Sequence, residues 1–130
     1  MSREDFVSTT PILDDWHQDK ALIPVVLDAF VKRLVESFGN RLQRVILFGS
    51  VARGENDPAD IDVCIVLKDY RGQGDPRRRK IVEIAGDIDM NVGDCKTYLA
   101  PFVCSPERYL SDVEPVFINI QEEGRVLYDE

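Results

Sequence analysis

Asp60 and Asp62 stand one residue apart, and a Gly49-Ser50 pair precedes them in the chain. The intervening loop carries Arg53, Gly54 and Glu55. Apolar runs flank this stretch, residues 45–48 before it and 61–67 overlapping its end. Both runs read as strands. Side chains two apart on a strand point to the same face, so the two carboxylates face one way. Glycine lets a backbone come close to an anion, and serine adds a hydroxyl and an N–H. Carboxylates beside a phosphate cradle suit a Mg²⁺-nucleotide, because Mg²⁺ takes one or two carboxylates together with phosphate oxygens and water. Arg53 has two readings, a phosphate contact or an ion pair that fixes the loop. Glu55 reads as a solvated or Arg-pairing residue.

The rest of the chain must hold these groups in place. From about residue 23 the apolar period becomes helical, with Val26, Phe30, Leu34 and Phe38 on one stripe. Pro24 suits the helix start and Gly39 its end. Strands are expected at 44–48, 61–67 and 97–104. Pro101 argues against a central place for the third strand, or marks a bulge in it. Asp75-Pro76 reads as an N-cap with proline in the first turn of a helix reaching about residue 90. Ser105-Pro106-Glu107 starts another helix. A helical or irregular segment follows from Pro115 to Gly124, and 126–128 form a short last strand. Arg77-Arg78-Arg79-Lys80 sits where a helix dipole opposes cations and reads as a solvated basic turn. Residues 1–19 form a polar arm with scattered apolar positions, Trp16 among them, and a lone surface histidine, His17. Residues 20–130 form one domain.

Phe48-Gly49-Ser50, Ala52-Arg53-Gly54-Glu55 and the later Asp60 and Asp62 together resemble the signature of the nucleotidyltransferase superfamily typified by DNA polymerase β. The string looks most like the minimal nucleotidyltransferases, which consist of the catalytic domain alone. Many of those are encoded beside a helical HEPN partner as toxin–antitoxin pairs. Weaker likeness runs through 99–109 and 115–128, so the resemblance spans most of 25–128. It implies an α/β (α+β) fold, a small mixed β-sheet with helices mainly on one face. It also implies Mg²⁺-dependent transfer of a nucleotidyl group, AMP from ATP, to a hydroxyl on a partner protein, a small molecule or an RNA. Asp60 and Asp62 would be the catalytic, metal-holding pair. Gly49, Ser50 and Arg53 would bind nucleotide, and a HEPN-like protein would be the partner. The superfamily places a third carboxylate on a later strand, facing the pair. Residues 97–104 contain no Asp or Glu; Asp94 precedes them and Glu107 follows. A catalytically weak nucleotide-binding module that docks on a partner, such as an antitoxin, is the alternative. An aminoglycoside-modifying enzyme is a weaker reading, since no second domain is evident to hold the antibiotic.

Composition narrows the classes. Twenty-four acidic against 16 basic residues leave a net charge of −8, which disfavours non-specific nucleic-acid binding through phosphate contacts. An apolar content of 44% suits one globular core. Cys64, Cys95 and Cys104 lack paired metal-ligand spacing and read as free thiols in a reducing cytosol. No run approaches the ~20 apolar residues that cross a bilayer, and the N-terminus lacks a signal-peptide core.

Overall fold

The computed structural model describes residues 18–130. Trp16, His17 and the rest of the expected arm up to residue 17 lie outside the described residues. Gln18 and Asp19 are already part of the fold. Gln18 is buried, and the Asp19 side chain accepts a hydrogen bond from the Ala21 N–H at the head of a short 3-10 turn.

Helix α1 (Ile23–Phe38) begins with Pro24 in its first turn and ends at Gly39. Gly39 has φ +53, a conformation that costs glycine little. Strand β1 (Leu42–Phe48) leads into the four-residue helix α2 (Gly49–Ala52), and β2 (Ile61–Leu67) follows the loop. Helix α3 (Pro76–Asn91) starts at the Asp75 cap, whose carboxylate accepts from the Arg77 N–H. Then come β3 (Leu99–Cys104), the short α4 (Pro106–Tyr109), α5 (Pro115–Glu123) and β4 (Arg125–Asp129). The third strand is shorter than expected: it begins at Leu99, and residues 97 and 98 precede it outside the paired register.

The sheet order is β3-β2-β1-β4. β1 runs antiparallel to β2 and to β4, while β2 and β3 are parallel. β3 is therefore an edge strand, and Pro101 lies on it within an unbroken register against β2. An edge accommodates a residue that cannot donate to the ladder.

Alternation splits the apolar residues between two faces. Val45, Leu47, Ile61, Val63, Ile65, Leu67 and Leu99 pack under α1 and α3 in the larger core. Ile46, Cys64, Val66 and Cys104 face the other way and pack with Tyr109, Phe117 and Ile120. The two long helices thus share one face, as expected, and two short helices roof part of the other. Cys64 and Cys104 are buried there with sulfurs 3.8 Å apart. Their mutual contact and burial push the Cys64 thiol up. Among the described residues no helix is long and apolar enough to cross a membrane.

Candidate active site

Phe48, the last residue of β1, pairs with Asp62 of β2, and Asp62 pairs with Ala100 of β3. Cross-strand partners project to the same face. Asp62 therefore lies on the face of the smaller core, at the end of the sheet where that core stops. Ile61 and Val63 point into the larger core, and the alternation carries Asp60 to the Asp62 side. The two aspartates are electrostatic neighbours. Burial, then the Asp60 charge, push the Asp62 carboxyl from the usual 3.8 up to about 6, while Arg53 pulls it down. No hydrogen bond is among the influences on Asp62.

Gly49 packs directly on this carboxylate. A Cβ built there would collide with Asp62 Oδ2 and lie 3.1 Å from its Cγ. Its φ of +74 is also a conformation that L side chains rarely adopt. Two constraints therefore require glycine, and together they bring the head of α2 against Asp62. The first N–H groups of a helix have no acceptor within it, so Gly49 and Ser50 offer donors beside the carboxylate.

Arg53 closes the same loop from the other side. Its Nε donates to Glu55 at 2.8 Å and its NH1 to Glu123, at the end of α5, also at 2.8 Å. Both contacts raise its proton affinity. Of its two readings, the loop-fixing ion pair is the one this conformation realises, with glutamates as partners. Glu55 is thereby an Arg-pairing residue. Glu123 was not legible as part of the site, because only the fold brings it 70 positions back to Arg53.

Neither flanking carboxylate joins the aspartates in a metal cluster. Asp94 is highly exposed and pairs with Lys96 at 3.7 Å. Glu107 lies in the first turn of α4. Among the described residues no three His, Cys, Asp or Glu side chains gather as a metal cluster. The strand neighbour of Asp62 on the expected side is Ala100, whose methyl side chain cannot ligate a metal.

Two further residues support the site without any sequence signal. Gln18 donates to the Pro58 carbonyl at 3.2 Å and accepts from the Tyr98 N–H at 2.9 Å, tying the Asp60 loop to β3. Asp89 of α3 accepts from Thr97 Oγ1 and from the Leu99 N–H, both within 2.9 Å, and fixes the start of β3. The basic run folds differently from a solvated turn at its first member. Arg77 donates to Asp75 at 2.7 Å and to the Lys68 and Asp69 carbonyls; Arg78, Arg79 and Lys80 are exposed.

The chain matches the model of the nucleotidyltransferase domain over residues 27–126. A Methanocaldococcus jannaschii protein named "Putative protein adenylyltransferase MJ0604" is 32% identical over 101 residues, covering 76% of this chain and 91% of its own length. A second protein of that organism, "Putative protein adenylyltransferase MJ1305", is 25% identical over 113 residues, covering 85% and 75%. A mutant of the toxin–antitoxin MntA-HpeT superposes with a TM-score of 0.52 at 19% identity, covering 79% of this chain and 72% of that one. A toxin–antitoxin crystallised with AMP-PNP gives 0.51 at 17% identity, covering 79% and 73%. At these identities the structural matches establish a shared fold.

Proposed function

As a member of the nucleotidyltransferase domain family the chain is a nucleotidyltransferase, and we propose that it moves AMP from ATP to a hydroxyl group of a partner protein. The reading rests on one observation above the others: Gly49 lies so close to Asp62 that the phosphate-approaching turn and the carboxylate form a single surface.

Asp60 and Asp62 would hold Mg²⁺. The donor set fits it, being two carboxylates with hard oxygens on one face, one of them half-buried and raised in proton affinity by that burial and then by its neighbour's charge. A divalent cation offsets that repulsion and, when bound, screens the charge that builds on the phosphoryl oxygens during transfer. The chain's own groups do the rest. The N–H groups at the head of α2 and the Ser50 hydroxyl bind the β- and γ-phosphates. Arg53 holds the loop through Glu55 and Glu123, with nucleotide phosphate as a competing partner for its guanidinium. The names of the two relatives favour a protein acceptor. This fold occurs in toxin–antitoxin complexes, and the resemblance of the Gly49-Ser50 and Asp60/Asp62 string to minimal nucleotidyltransferases makes a HEPN-like toxin the first candidate. Three free cysteines suit a reducing cytoplasm.

The test is transfer of α-labelled AMP from Mg²⁺-ATP to such a partner. Label should enter the partner with the native chain and vanish with D60N/D62N. Ala100 beside Asp62 favours one second reading, a docking module with little turnover. That module would silence its partner equally well with or without the two aspartates.

A further inference from the structure

The parallel register pairs Ile61 with Leu99 and Asp62 with Ala100. One step back along both chains, Asp60 comes opposite Tyr98. The Ile61 N–H donates to the Tyr98 carbonyl at 2.8 Å, which continues the ladder to that point. Burial alternates over the residues that lead into β3, from Lys96 to Ala100. Thr97 and Leu99 are buried toward the larger core, whereas Tyr98 is 57% exposed. Tyr98 thus stands on the same face as the two aspartates, beside the first of them. Its backbone is fixed from both sides, by Ile61 and by Gln18. Gln18 also fixes Pro58, two residues before Asp60. A clamped backbone with an exposed phenol presents that hydroxyl to the site with little freedom to lose. The other three tyrosines are placed elsewhere. Tyr109 is buried in the smaller core, Tyr70 lies under the Arg77 guanidinium, and Tyr128 is half-buried on β4.

We propose that Tyr98 is an adenylylation site, and that it accepts AMP from the nucleotide held in its own molecule. The inference rests on the transfer reading above and adds an acceptor within the chain. The phenolic oxygen bonds to the α-phosphorus as the bond from that phosphorus to the bridging oxygen breaks. Pyrophosphate leaves with the electron pair, and the phenolic proton passes to solvent. The product is an adenylyl-tyrosine beside Asp60, where its bulk and negative charge occupy the face on which an outside acceptor must dock.

The purified full chain is incubated alone with ATP and Mg²⁺, then analysed by intact mass and by tryptic mapping. The expected result is one AMP per chain, located at Tyr98 on the peptide spanning 97–108. It should be absent from Y98F and from D60N/D62N, and its rate should not depend on protein concentration. AMP on another residue, equal incorporation into Y98F, or a rate that rises with protein concentration would overturn the inference. An unmodified Tyr98 in a preparation that adenylylates a partner protein overturns it and leaves the transfer reading standing. No AMP on this chain or on any partner overturns both.

Discussion

Two loops of this molecule use the same residue types to opposite ends. The connection from β1 into the start of β2 carries Gly49, Arg53, Asp60 and Asp62; the connection from β2 into the first turn of α3 carries Gly72, Asp75 and Arg77. At the second, acid and base find each other. Asp75 is buried, caps α3, accepts from the Arg71 N–H and binds the Arg77 guanidinium, and its carboxyl is held well below the usual carboxylate range, chiefly by Arg77. At the first they do not. Arg53 is drawn to Glu55 and Glu123, and Asp62 stays half-buried beside another carboxylate, with its proton affinity raised. One charge stabilises the fold and the other is kept at its expense. That contrast separates an electrostatic site from an electrostatic staple, and perturbed carboxylates without partners cluster where chemistry is done.

The largest break in this contrast comes from removing the unpaired charges. D60N/D62N should lower AMP transfer by at least about 10³-fold, roughly 4 kcal/mol of barrier, while the circular dichroism spectrum stays native. Retained transfer would remove these residues from the mechanism. The matching break at the staple is D75A, which loses a helix cap and leaves Arg77 without its carboxylate. It should cost about 3 kcal/mol in urea unfolding and leave ATP affinity unchanged. Asp75 contributes stability above its unfolded-state pKa, near the usual ~4, and loses it only as pH falls through the depressed folded value. The D75A deficit should therefore be full at pH 7 and shrink in acid.

Two glycines sharpen the comparison inside the first loop. Gly49 and Gly54 share φ +74, but a Cβ at Gly54 meets nothing within 4 Å. G54A should lose about 1 kcal/mol from backbone strain alone. G49A adds a collision with Asp62, so it should lose about 2 kcal/mol and weaken Mg²⁺-ATP binding in calorimetry. Equal effects of the two would mean that the contact with Asp62 is incidental.

Much of this was legible from the chain. Strand periodicity placed β1 and β2, and Asp75-Pro76 marked the start of α3, because those signals are local. The Gly-Ser and Asp-x-Asp spacing located the candidate site for the same reason. Long-range partners left no trace: Glu123 reaches Arg53 only after α5 folds back over the sheet, and Gln18 reaches Tyr98 only after β3 docks beside β2. The smaller core under α4 and α5 was also hidden. Its residues alternate with those of the larger core on the same strands, so a sheet buried on both faces reads as one apolar run.

Ala100 offers a gain rather than a loss. A100D puts a carboxylate on the strand neighbour of Asp62, on the same face. General-base contributions reach 10²–10⁴-fold when geometry is optimal; an unrefined placement should raise turnover about tenfold. No gain, or a large loss of transfer in D94N or E107Q, would show that the site completes itself another way.

The smallest effect tests the unpaired charge directly, in the metal-free protein. Burial and Asp60 raise Asp62 from 3.8 in the unfolded chain to about 6 in the fold. Folding therefore favours the protonated acid. The stability this provides is full below about pH 4 and is lost as pH rises through about 6. Above that, the wild-type fold carries a charge it would exclude, and D62N does not. A shift of this size would be worth about 3 kcal/mol for a group cut off from water, and partial exposure reduces it to about 1 kcal/mol. With EDTA present, D62N should be the more stable protein at pH 7 by about that amount, and the gap should close toward pH 4. Millimolar Mg²⁺ should then stabilise the wild type and not the variant, since only the wild type has the charge to offset. A gap that ignores both pH and Mg²⁺ would place Asp62 among the staples, with Asp75.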